Sequence, residues 1–309
     1  MNIKKHPAFR LLRPSDLFLP LAFLAACLLG RGAAALGLFV AWYAAKLCAL
    51  ATSDGLRAAF AAQPSIKHVQ GSALVSLGCQ LPGAALSALI LYLIQGTRVL
   101  LPLVPCGLFL NIEHVFYEYL CAAGDKKSAL ACRCITAVLV LLGLILCMPS
   151  QQGVLITAPS EPLWLLATCG LSALIGLFIS FSLGGRYQPV PNAEVLMCAP
   201  LSMLHAGLYP ALTLLALALL WPGRFNPASL FTGLVLYEAC RTPFRRSPLE
   251  ARPMNRLLLA AGGAALLGLI LFQFLLKTPV SEPISMICVA LLIAALCAFG
   301  LFGSFTRPE

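Results

Sequence analysis

Residues 101–148 read LPLVPCGLFLNIEHVFYEYLCAAGDKKSALACRCITAVLVLLGLILCM. Two predominantly apolar runs, each close to the roughly 20 residues that a membrane-crossing helix needs, flank the short polar break Gly124-Asp125-Lys126-Lys127. Neither run alternates apolar and polar residues as a barrel strand does, and inside hydrocarbon only a helix or a closed barrel satisfies its own backbone. The fold class that follows is all-α, a polytopic bundle of transmembrane helices.

The same pattern extends in both directions. Breaks in the apolar runs predict spans near 16–30, 33–51, 71–94, 99–121, 129–148, 162–183, 195–221, 228–240, 257–276 and 284–304. The first and eighth are short, but Gly30-Arg31-Gly32 supplies a turn after one, and Asn226-Pro227 supplies an N-cap and a first-turn proline for the other. Composition agrees, with 60% of the 309 residues hydrophobic and 10% charged. Soluble domains average about 45–50% and about 25%, so this chain has too little polar surface to cover a water-soluble fold. Residues 1–15 read as a basic cytoplasmic segment that is retained rather than cleaved, and 16–309 as one transmembrane domain with halves at 16–150 and 160–305.

Charge sets the orientation, because Lys and Arg accumulate in cytoplasmic loops. With both termini inside, sixteen basic residues fall on that side: Lys4, Lys5, Arg10, Arg13, Arg57, Lys67, Lys126, Lys127, Arg133, Arg186, Arg241, Arg245, Arg246, Arg252, Arg256 and Arg307. Four fall outside, Arg31, Arg98, Arg224 and Lys277, and Lys46 lies within a span. Dropping one short span would send the Arg-rich loop outside, whereas dropping both, for eight spans, would not. The formal charge of +10 therefore reads as topology and contact with anionic lipid headgroups, with Arg245 and Arg246 as headgroup contacts, and not as nucleic-acid binding. The stretch from Ser53 to Gln70 reads as an amphipathic cytoplasmic helix or as an ordinary loop.

Ionisable residues inside spans are costly, roughly 2.5–3.5 kcal/mol for a charged Asp, Lys or Arg at mid-helix, and mark function by default. The run at 99–121 carries Asn111, Glu113, His114, Tyr117, Glu118 and Tyr119. Helical spacing puts Asn111, His114 and Glu118 on one face and Glu113 with Tyr117 on its neighbour, so the stripe is expected to look into the bundle. Lys46 and Glu118 lie at similar depth from their cytoplasmic ends, which makes Glu118, or else Glu113, the expected partner of Lys46. These six residues (Asn111, Glu113, His114, Tyr117, Glu118 and Lys46), with His205 beside Gly207 and Pro210, are the expected substrate or coupling-ion pathway. The alternative is a structural ion pair that staples helices, or Lys46 reaching out to the headgroups.

No catalytic motif is present: no HExxH, GxSxG, P-loop or GxGxxG, and Asp occurs only at Asp16, Asp54 and Asp125. The thirteen cysteines lack paired CxxC spacing and read as small buried hydrophobes, so no metal and no cofactor are expected.

Two stretches carry a resemblance. AWYAAKLCALATSDGLRAAFAAQ at 41–63 leads through an amphipathic connector to a further helix, and LPLVPCGLFLNIEHVFYEYLCAAGDKKSAL at 101–130 ends in a short Gly124-Asp125-Lys126 loop. With that layout, Ala33 to Leu146 resembles the multidrug/oligosaccharidyl-lipid/polysaccharide flippase superfamily, which includes multidrug-and-toxin extruders and lipid-linked glycan flippases. The resemblance implies a helical membrane transporter, not an enzyme, moving an amphipathic or lipid-linked substrate across a plasma membrane of the bacterial inner-membrane type. It assigns no individual residue, and the region after Gly185 is too short for a second six-helix half. A five-plus-five inverted repeat is the other architecture that ten short spans suit. The competing functions are an assembly partner that transports nothing and an intramembrane enzyme.

Orientation is directly measurable in a cysteine-free background carrying Arg246→Cys. An impermeant thiol reagent applied from outside should leave it unlabelled, and labelling from that side would overturn the ten-span order.

Overall fold

The structure is a computed structural model that describes residues 14–42, 85, 89, 103–122, 126–147, 161–184, 226–241, 252–277 and 280–305. All regular structure among the described residues is helical, so the chain is all-α. A 3-10 turn at Pro14–Leu17 leads into α1, Phe18–Leu28, followed by α2 at Gly32–Trp42. Next come α3, Leu103–Ala122, α4, Lys126–Leu146, and α5, Glu161–Gly184. After them α6 covers Pro227–Arg241, α7 Arg252–Ile270 with a π-helical turn at Leu271–Leu275, and α8 Glu282–Phe305. These bounds lie within about five residues of the expected spans, except that residues 43–51 of the second span lie outside the described residues. The spans at 71–94, beyond the helical positions Ala85 and Leu89, and at 195–221 lie outside the described residues, as do the connector Ser53–Gln70, Lys46, His205, Arg245 and Arg246.

Both short spans have defined ends. Gly30 takes φ 76°, a left-handed conformation that glycine adopts without strain, and α1 closes as a Schellman cap in which Arg31 N–H donates to Ala26 O at 2.8 Å and Gly30 N–H to Cys27 O at 3.0 Å. At the start of α6, Asn226 Oδ1 accepts from the Ala228 N–H at 2.9 Å, with Pro227 in the first turn where no donor is needed.

Neighbouring helices pack in the spatial order α7, α8, α6, α1, α4, α5, α3. Four aromatics knit the centre. Phe23 of α1 stacks on Phe231 of α6 at 5.1 Å, while Phe39 of α2 meets Phe23 edge-on at 5.9 Å, Phe231 at 5.4 Å and Trp42 at 6.0 Å. Such pairs contribute about 0.5–1.5 kcal/mol each beyond their buried area. Contacts also fix which ends lie together. Ser15 meets Tyr117, so the start of α1 lies beside the last turns of α3. Gly32 lies against Pro227, and Gly143 against Leu165 and Thr168, which joins the start of α2 to that of α6 and the last part of α4 to the start of α5.

The outer faces are apolar. Ile135, Val138, Leu142 and Ile145 form an exposed stripe at three- and four-residue spacing along α4, and Trp164, Leu171, Leu174 and Phe178 form another along α5. The segments Lys127–Leu146 and Arg256–Gln273 are long and apolar enough to cross a membrane, and only 44% and 22% of their most apolar stretches are buried. A helix at the core of a soluble protein would be mostly covered; these present their apolar sides outward.

Gly107 marks the tightest approach near the polar stripe. A Cβ there would lie 2.6 Å from the Ala41 carbonyl carbon and 2.7 Å from the Trp42 nitrogen, so α3 crosses α2 backbone to backbone. Gly107→Ala should therefore lower the thermal unfolding midpoint in detergent by the equivalent of about 1–3 kcal/mol, the usual cost of overpacking. An unchanged midpoint would mean that α2 moves aside freely.

Candidate functional site

The polar residues of α3 gather against α4 and the turn before α1. Asn111, Glu113, His114 and Tyr117 are all buried, and each meets a group from another segment. Asn111 Nδ2 donates to the Trp42 carbonyl at 3.1 Å, tying α3 to α2. Glu113 Oε2 forms an ion pair with Arg133 Nη1, and Cys132 Sγ lies 3.5 Å from Glu113 Oε1 as a thiol donor. The other guanidinium nitrogen, Arg133 Nη2, contacts His114 Nδ1.

Tyr117 sits at the junction. Its ring lies 4.3 Å from the Arg133 guanidinium carbon, in cation–π geometry, and 6.2 Å from the His114 ring at an interplanar angle of 28°. Its hydroxyl donates to Asp16 Oδ1 at 3.0 Å and lies 2.6 Å from Ser15 Oγ. Glu113, His114, Tyr117 and Asp16 make further contacts besides these. The third wall is α5, where Gly176 leaves room for Phe116, Cys132 and the Glu113 backbone, and its described stretch 163–179 carries no charged residue.

Water is excluded from the pair, for the Glu113 side chain is 0% exposed and that of Arg133 5%. Removing either charge from water costs several kcal/mol, which the partner and the surrounding hydrogen bonds must offset. Arginine also fixes the chemistry of its neighbour. A guanidinium only donates, so His114 Nδ1 must be the accepting nitrogen, and the neutral ring carries its proton on Nε2.

Comparison with protein-family models, with curated proteins and with solved structures gave no match. The site therefore has to be read from its own geometry.

Four expected pathway residues, Asn111, Glu113, His114 and Tyr117, come together on the inward side of α3. Glu118 lies in α3 with its side chain outside the described set, and Lys46 and His205 lie outside the described residues. One assignment is corrected. Arg133, counted among the cytoplasmic charges, is buried on α4 and paired with Glu113, while the expected pairing of Lys46 lies outside the described residues. The inside count becomes sixteen less one, fifteen, against four, so the asymmetry survives. Ser15, Asp16, Cys132 and Arg133 were not foreseen as site residues. Among the described residues, no three His, Cys, Asp or Glu side chains gather as a metal site, and nine cysteines carry no disulfide.

Removing one member of a buried pair leaves the other uncompensated, so Arg133→Gln should destabilise the protein by about 3–5 kcal/mol. The double variant E113Q/R133Q, which removes both charges, should recover most of that loss. Thermal unfolding of wild type, R133Q, E113Q and the double variant in one detergent checks this, and additive losses would mean that the pair is not coupled.

Proposed function

We propose that the chain is a multi-pass protein of about ten spans with both termini cytoplasmic, in a plasma membrane of the bacterial type. In this reading it moves an amphipathic or lipid-linked substrate, and the Glu113–Arg133–His114 cluster is its coupling site. The observation that carries the proposal is a carboxylate, a guanidinium and an imidazole buried together between helices whose outer faces are apolar. Ionisable groups inside a membrane are costly and tend to be retained where they bind or relay charge.

The pairing of helix ends fits the ten-span order. The start of α1 and the last turns of α3 share one end, while the starts of α2, α5 and α6 match the opposite side in the ten-span order. The resemblance of residues 33–146 to the flippase superfamily supports the substrate class, and it remains an analogy of layout. In the same reading Arg245 and Arg246 face anionic headgroups.

A second reading has its own observation. Every charged group of the cluster has a partner inside the protein, as in a staple that holds a non-transporting assembly factor together. One experiment separates the two. Wild type and E113Q are reconstituted in liposomes containing fluorescent phospholipids and lysophospholipids, and probe movement is followed by quenching the outer leaflet over a pH series. The transport reading expects pH-dependent movement by wild type, with E113Q destabilised but still folded at the assay temperature and moving the probe without that pH dependence. Loss of stability without any probe movement in either protein favours the staple, and normal pH-dependent movement by E113Q rules Glu113 out.

A further inference from the structure

The cluster is joined to the chain's N-terminal turn through one side chain. Tyr117 presents its ring to Arg133 and His114 and its hydroxyl to Ser15 and Asp16, so the state of the buried charges and the docking of residues 14–17 meet on one residue. Ser15 is itself buried, which makes this turn part of the packing. Nothing in the transport reading requires that link, and it would exist in an assembly factor as well.

We propose that His114 is a proton-operated release for this N-terminal turn. A proton taken from water adds to Nδ1 while Nε2 keeps its own, and no other covalent bond changes. The nitrogen that accepted from Arg133 Nη2 becomes a donor carrying positive charge, facing a group that can only donate. The contact turns from attractive to repulsive in a site from which water is excluded. Arg133 keeps Glu113 on its other nitrogen, so it pivots about that pair and leaves the Tyr117 ring. Tyr117 then loses both its cation and its fixed neighbour, and the hydrogen bonds to Ser15 and Asp16 lose the ring that aims them.

Among the described side chains, the charges around the switch can be named. Glu113 and Tyr117 face it from α3, Cys132 and Arg133 from α4, and Asp16 from the turn before α1, while the described stretch of α5 contributes none. Asp16, in the turn itself, acts electrostatically on Arg133. A proton on His114 sets a second positive charge beside Arg133 and so breaks the geometry of the cluster.

The test is hydrogen–deuterium exchange of the full chain in lipid nanodiscs, at about pH 7.5 and about pH 5.5, corrected for intrinsic exchange and read on peptides covering 14–28. In wild type, protection of this segment should fall about tenfold or more at the lower pH, within the range of ordinary coupling free energies. His114→Asn keeps an acceptor near the Nδ1 position but does not titrate, and should stay protected at both values. Tyr117→Phe keeps the ring on Arg133 but removes the hydroxyl, and should be unprotected at both. Equal protection of wild type at the two pH values overturns the proposal. So does a full pH response in His114→Asn, which would move the titration to Glu113 or Asp16. Exchange needs no substrate, so the outcome is independent of whether the protein transports.

Discussion

A charged group placed where water cannot follow must be answered by the protein itself, and the pairing of Arg133 with Glu113 is where this chain meets that demand. The pair fixes α4 against α3 at one depth. Gly176 then lets α5 close over Cys132 and Phe116, and Tyr117 carries the contact on to the turn that begins α1. From α1 the packing runs through Phe23 and Phe231 to α6 and α8. The order of neighbours is thus anchored at one end by ionic contacts and in the middle by aromatic ones. The first kind fixes register, because a guanidinium out of place by one helical turn would lose both Glu113 and His114. The second tolerates sliding.

Much of this was legible beforehand, for identifiable reasons. Helix positions follow from apolar run length, and caps from local chemistry, so Asn226-Pro227 and Gly30 could be read from a few residues each. Polar spacing within α3 likewise put Asn111, Glu113, His114 and Tyr117 on adjoining faces, and all four are buried. The pairing between segments was harder. Arg133 sits a few residues after Lys126 and Lys127, and three basic residues near a helix start look like one cytoplasmic cluster. Only the hairpin geometry separates them. Antiparallel helices, one ending at Ala122 and the next starting at Lys126, bring residues a similar number of positions from those ends to similar depth, at about 1.5 Å per residue. Glu113 lies nine residues before the first end and Arg133 seven after the second. Counting outward from the turn would have found the partner that charge counting hid.

Ser15 and Asp16 escaped notice for another reason. A Ser-Asp pair just before an apolar run reads as a helix start, and here the 3-10 turn is indeed followed by α1. Their side chains are nonetheless turned toward Tyr117, about a hundred residues away in sequence. Contacts of that separation leave no local signature, because the intervening helices decide whether the two segments meet. The apolar stripes on α4 and α5 behave in the opposite way. Their three- and four-residue spacing is written in the sequence, but whether such a stripe faces a neighbouring helix or the surroundings depends on the whole bundle, and here both face outward.

The identity of the cation at 133 follows from what it touches. One nitrogen must reach Glu113 Oε2 and another His114 Nδ1, while the guanidinium carbon lies over the Tyr117 ring. A guanidinium spans two acceptors with separate nitrogens held in one rigid plane and can stack on a ring at the same time. A lysine ammonium is a single point; satisfying Glu113 would draw it off His114, and its stronger hydration would make burial at the same place more costly. Arginine also never gives up its proton in a protein, so every change of charge in the cluster has to occur on the acceptors around it. The fixed cation makes the neighbouring imidazole and carboxylates responsive: their protonation states are set against a charge that does not yield, and each change is felt directly as a gain or loss of a contact to α4.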